Sequence, residues 1–539
     1  MALSNEQWNA PPAGGGNFYK HQIANSSRFD KGGSPLMSMT PGAAGDRKKW
    51  AVSFWIKRTG LGTGNNPIIS SDTGANGGAY ASMIRFNNGD TLAVSTGTSI
   101  SLETNMVFRD TSAWYHIVVA ADTTQSTNTN RWRIYVNGED QTGKLSDTGY
   151  PGEDYQFTMW GNGAPVYIGR DGGSAYSLYS NFIIAEVAMT EGTAHNADTF
   201  AEEVNGVWIP KDLSGVTFGD EGFWIQMKQS AVGSGSSSTV GADTSGNNNH
   251  FTTANQATTD HLLDSPTFGG SNGGNFCTFN TVNKGSNNTL AEGNLKAGGS
   301  NGGNVSGTMA HLTGKWYWEQ CAVTVDQYGP TFGIGQLNST GSATVANGEY
   351  YIITWQTAAG QIYGGGGYPE GMGTITLNQT GVNALSSGDV LGFFMDLDNR
   401  KLWISKNGTL LNSGDPEEGT NPQASWASNP TTNPFTMTTQ NVAGGVGILN
   451  CGQEGTFAGT KTAGDNADAN GYGNFLYDIS DHPSFLAMCS ANTPTPVADP
   501  AEDDGPAKYF APKLYTGDGA STLAITGLEF QPDWTWIKN

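Results

Sequence analysis

Charge is scarce in this chain. Asp, Glu, Lys and Arg make up 14% of its 539 residues, against roughly a quarter in ordinary globular domains. Basic residues are the scarcer kind, with 26 Lys and Arg against 48 Asp and Glu and a formal net charge of -22. Such a surface repels phosphate backbones and anionic headgroups, which argues against nucleic acid as a partner and against membrane insertion driven by charge. Cysteine is nearly absent. The four thiols, Cys277, Cys321, Cys451 and Cys489, show no CxxC spacing, so neither a disulfide framework nor a zinc site is expected, only small buried side chains. No run of about 18 apolar residues is present to span a bilayer as a helix. The opening MALSNEQWNAPPAGGGNFYK lacks a charged segment followed by an apolar one, so it does not read as a secretory signal, and synthesis in a cytoplasm is expected. Sustained 3.6-residue periodicity and heptads are missing too, which excludes helical bundles and coiled coils.

What remains is the composition of short strands and tight turns. Glycine, at 76 residues, is about twice its usual share. The chain is too long for one core, and about three or four units are expected. The fold class predicted is all-β, as tandem antiparallel β-sandwiches.

The strongest local pattern is GDVLGFFMDLDNRKLWISKNG, residues 388–408. Leu391, Phe393, Met395 and Leu397 alternate with Val390, Gly392, Phe394 and Asp396, a period of two. A polar turn follows at Asp398-Asn399-Arg400 and another at Asn407-Gly408, the dipeptide that best tolerates positive φ in a hairpin. Earlier, Trp50, Val52, Phe54 and Ile56 form one strand face. Trp132, Ile134 and Val136 form another, with Arg131, Arg133 and Tyr135 opposite and an Asn137-Gly138 turn beyond.

Four segments follow. Residues 1–20 read as an irregular N-terminal arm, because Pro11, Pro12 and Gly14-Gly15-Gly16 forbid regular structure. Residues 21–265 read as a first sandwich, with 211–265 as its polar appendage. Residues 266–490 read as a second sandwich. Residues 491–539 read as an acidic Pro-rich linker, then the beginning of a further C-terminal β domain.

The order SFWIKR, WYHIVVA, NRWRIYVNGE, VYIGR, NFIIAEVAMTEG resembles a laminin G-like, concanavalin A-type jelly roll. The order GKWYWE, FGIG, GDVLGFFMDLDNRKLWISKNG resembles the SPRY pattern, a recognition module. With the later FQPDWTWIK, the whole layout resembles large virion proteins of tailed bacteriophages of the marine, cyanophage-like kind. That resemblance implies a non-enzymatic tail fibre or adhesin, and the irregular composition and position of residues 1–20 make them the candidate arm for docking on the virion. It implies other tail proteins and a host-surface glycan or protein as partners. It also implies homo-oligomerisation, with a trimer as one option and stoichiometry left open. Two rivals stand beside it: a structural tail adaptor or capsid decoration protein, and a polysaccharide depolymerase.

Catalysis is not expected. Glycosidases need two carboxylates flanking the bond, and the E-x-D-x-x-E run of laminarinase-type jelly rolls is missing. Glu186 stands alone, and Asp396 and Asp398 read as turn caps. No G-x-S-x-G elbow occurs, and His116 reads as a satisfied core histidine. No cofactor is expected, although laminin G-like domains sometimes hold calcium; Asp171 and Asp243 are the candidates. For ligand binding the candidates are Trp355, Tyr363 and Tyr368, which flank the loop glycines 364–367 and would offer flat apolar faces to a sugar.

Overall fold

The computed structural model describes residues 18–494, except 63, 72–81, 98–99, 162, 173–177, 300–303, 327–328, 337–350, 357–359, 365–373, 430–433 and 442–443. It also describes 509–537, except 514, 518, 520–521, 527 and 529. Among these residues every long element is a strand, and nearly all strand pairs are antiparallel.

Two eight-stranded sheets face each other in the first sandwich. One runs, in spatial order, through Glu139–Asp140, Trp132–Val136, Trp114–Asp122, Lys49–Arg58, Phe182–Glu191, Ser26–Phe29 and His261–Leu262, with Phe223–Ile225 also paired to Phe182–Glu191. The other runs from Leu145–Gly149 through Ile100–Val107, Thr91–Thr96, Ser82–Phe86, Asn66–Ser71, Val166–Ile168 and Leu36–Met39 to Thr252–Ala254. The alternation in the sequence dictates which face is inside. Trp50, Val52, Phe54, Ile56, Trp132, Ile134 and Val136 all enter the core between the sheets. Residues 211–265 give three strands to these sheets, two of them forming one edge strand of each sheet.

The second sandwich pairs a six-stranded sheet with a ten-stranded one. Trp316, Trp318, Leu391, Phe393, Met395 and Leu397 point into its core. Its six-stranded sheet ends at Gln361–Gly364, where the amide of Gln379 accepts from Ile362 N at 2.9 Å and donates to Ile362 O at 2.6 Å. A side chain thus replaces a neighbouring strand.

The two sandwiches are packed together. An apolar cluster joins Phe18, Tyr19 and Ile209 to Tyr317, Phe394 and Trp403 through Phe268, Phe276, Phe475 and Phe485. Arg28 bridges Asp260 Oδ1 and, across the junction, Glu292 Oε2 at 3.0 Å.

Two terminal expectations change. Residues 1–17 of the expected arm lie outside the described residues, but Phe18 and Tyr19 are buried, because large aromatic rings gain more from packing than from staying in a loose arm. The strand expected within 491–539 does not form among the described residues; Trp534 and Trp536 are 74% and 76% exposed. No described strand pairs with that segment, and an isolated strand is unstable in water.

Candidate binding clefts

The outer face of strand Trp132–Val136 carries what its core face cannot. Arg133 and Tyr135 point away from the core, and Ala120 sits directly opposite Arg133 in the register. That small residue leaves a hollow, walled by Gln125 and Asn130 on one side and Ala194, His195 and Asn196 on the other, of ≈ 450 Å³. Arg133 is held in it by Asn130 Oδ1 and by Asp140 Oδ2 at 3.5 Å. Hydrogen bonding to the Tyr135 hydroxyl, together with the Asp140 charge, raises the guanidinium above its ordinary pKa despite partial burial. Burial pushes the Asp122 carboxyl up, but hydrogen bonds from Thr124 and Gln125 outweigh it and the net shift is downward. Burial lowers His195, which makes it a neutral hydrogen-bonding group at neutral pH.

A second cleft of ≈ 530 Å³ lies at the Asn137-Gly138 turn that ends this strand, lined chiefly by Glu139, Glu202, Glu203, Trp208 and Lys211. Its wall is the hairpin Ala201–Val204/Val207–Pro210. Asn137 and Gly138 take φ of 46° and 83°. A Cβ on Gly138 would lie 2.6 Å from the Trp208 ring, so only glycine lets that ring close down. The Lys144 ammonium holds Glu139 below its ordinary pKa.

Beneath the hairpin lies His116, 1% exposed. Its Nδ1 meets Trp208 Nε1 at 2.9 Å and its Nε2 meets Ser53 Oγ at 2.8 Å. It is a satisfied buried histidine rather than a base. Glu186 is equally committed. It sits at a bulge with φ 47°, and its Oε1 accepts from His21 Nε2 at 2.7 Å and Trp224 Nε1 at 2.8 Å. Asp396 caps its turn through Asn399, and Asp398 accepts from Gly314 N.

The residues singled out in the sequence are not brought together. Trp355 is fully buried in the second core with Phe332 and Ile362. Its strand sends it inward, so its faces are closed to a ligand from solution, and the expected platform role is corrected. Tyr363 is 41% exposed and its hydroxyl donates to Gln361 Oε1. Tyr368 lies outside the described residues. Asp243 organises a loop: its oxygens accept from Trp224 N, Ser245 N, Ser245 Oγ and Asn249 N, all at 2.8–2.9 Å. Asp171 is buried and its charge acts on the Arg85 guanidinium. Among the described residues no three acidic, His or Cys side chains cluster as a metal site. The clefts were overlooked in the sequence, although Arg133 and Tyr135 stood out on the polar side of their strand; what was missing was the 194–211 segment that walls them, distant in the chain.

The fold defines a tandem of β-sandwiches. Residues 31–197 match the family model described as the concanavalin A-like lectin/glucanases superfamily. No curated protein matches the chain in sequence. Among solved structures, the chain is similar to a native heptameric SAP-like pentraxin from Limulus polyphemus, at 15% identity over 33% of this chain and 80% of that one, with a TM-score of 0.26. It is similar to a putative carbohydrate binding protein from Bacteroides ovatus, at 16% identity over 43% of this chain and 58% of that one, TM-score 0.29. It is also similar to the SPRY domain of human HERC1, at 14% identity over 32% of this chain and 96% of that one, TM-score 0.22. These likenesses carry no information about ligand or activity.

Proposed function

We propose that this chain is a non-enzymatic glycan-binding protein, and that its first sandwich holds sugar in the two clefts. The observation that carries this reading is the pair of polar clefts at Arg133 and at the Asn137-Gly138 turn, the first of them lined wholly by residues inside the segment matched by the lectin/glucanase family model. Sugar recognition asks for fixed donors and acceptors beside an apolar ring. Arg133, Asn130, Gln125 and Asn196 supply the former, and Trp208 the latter. The non-enzymatic part rests on the carboxyls. Glu139 in the second cleft is driven toward the ionised form, the wrong direction for a general acid. Glu319, which burial raises to about 7, is sealed from solvent.

Glycan-array screening followed by calorimetry tests this. Arg133→Ala is expected to weaken a bound glycan by about tenfold or more, the worth of a charged hydrogen bond, with an unchanged melting temperature. Equal affinity in the variant, or release of reducing ends from the polysaccharide, overturns the reading.

The finer reading is a virion component of a tailed phage, a homo-oligomeric tail fibre or adhesin meeting a host glycan or protein. The order of the sequence blocks supports it. Cryo-EM of the particle decides: a chain projecting from the tail supports the adhesin, and both sandwiches buried against capsid or tail tube overturn it.

A further inference from the structure

Three side chains converge where the first sandwich meets the second. Lys57, on strand Lys49–Arg58, is 0% exposed; Asp264 is 0% and Asn275 4% exposed. Lys57 Nζ lies 2.7 Å from Asp264 Oδ2 and 2.7 Å from Asn275 Oδ1, with Phe276 O at 3.4 Å. Asn275 cannot swing away, because its Nδ2 donates to Ser112 O at 2.7 Å. That bond turns its carbonyl toward the lysine. Asp264 is held in turn by Trp114 Nε1 at 3.3 Å.

Buried ion pairs add little to stability, since desolvation offsets the attraction. This one, however, sets the amine in hydrogen-bond contact with the carboxamide oxygen, one bond from the carbon it would attack, with a carboxylate on the same amine and all three side chains buried. Holding reactants together in this way can supply much of a barrier. We infer that Lys57 and Asn275 join in an intramolecular amide, with Asp264 moving the protons.

The reaction balances within the chain. Asp264 Oδ2 takes a proton from Lys57 Nζ and leaves a neutral amine. The amine lone pair attacks Asn275 Cγ, and the Nζ–Cγ bond forms while the carbonyl oxygen accepts the proton held by Asp264. The tetrahedral centre then collapses, and the Cγ–Nδ2 bond breaks with its electron pair going to Nδ2. The departing nitrogen collects the hydroxyl proton and one from Nζ through Asp264, and leaves as ammonium. Asp264 returns to carboxylate and accepts the new amide N–H. No oxidant or co-reactant takes part. The product ties a central strand of the first sandwich to the segment that enters the second.

Intact mass spectrometry of the full chain, with peptide mapping, tests this. The expected result is a chain lighter by one ammonia and a branched peptide joining residues 57 and 275. Recovery of Lys57 and Asn275 in separate linear peptides overturns the proposal, whether the mass is full or the ammonia loss maps to an Asn-Gly turn. Asp264→Asn, close to isosteric, is expected to restore full mass in a protein with an unchanged circular dichroism spectrum. Persistence of the branched peptide in that variant overturns the role given to Asp264. Should that variant fail to fold, the wild-type peptide map decides alone.

Discussion

The indole N–H of Trp208 donates to Nδ1 of His116 across 2.9 Å. Indole nitrogen can only donate, so Nδ1 must be bare, the ring proton sits on Nε2, and Ser53 Oγ accepts it. A second ring proton would point straight at the indole hydrogen.

Protonating His116 therefore opposes folding. Burial lowers it from 6.5 to about 3. Between those values the unfolded chain binds the proton and the native chain does not, so stability falls as pH drops below about 6.5 and levels near 3. The slope is at most about 1.4 kcal/mol per pH unit. Urea titrations across this range should show His116→Gln losing that slope; an unchanged slope would remove His116 from the account.

Glu319 works in the opposite sense. Its carboxyl is 0% exposed and accepts from Leu476 N, Tyr477 N, Asn450 Nδ2 and Tyr317 Oη. Burial nevertheless raises it from 4.5 to about 7, those hydrogen bonds offsetting only part. The native state keeps a proton that the unfolded chain has released, so this contribution is full below 4.5 and is lost as pH rises through about 7. The two windows overlap with contrary signs. Glu319→Gln should thus steepen the net rise of stability with pH between about 4.5 and 6.5, measured by the same titrations. A shallower rise would contradict the assignment.

Gly138→Ala puts a methyl against the Trp208 ring at a backbone φ of 83°. The expected cost is about 1–3 kcal/mol, with a change in tryptophan emission as the ring is displaced. Thermal melts and fluorescence read both. A neutral substitution would mean the hairpin moves freely.

Trp355→Ala and Tyr363→Ala should part company. The first empties a buried site and is expected to cost about 3–5 kcal/mol. The second removes a half-exposed ring and should stay within about 0.5 kcal/mol. Chemical denaturation of both tests the placement of Trp355.

Much of the fold was legible because period-two alternation needs no partner to be read. Trp50 to Ile56 and Leu391 to Leu397 face inward as their spacing requires, and both Asn-Gly turns take positive φ. Trp355 was not legible, because a short strand followed in sequence by a run of glycines gives no sign of which face will be covered. Nor was the Lys57 site. Its partners lie 207 and 218 residues away, and no local pattern in a strand announces a partner brought in by the junction of two domains.

The amide of Gln379 has a consequence at another scale. By occupying both backbone groups of Ile362, it removes the template on which a foreign strand could grow. Copies brought close together are then hindered from zipping edge to edge along this rim.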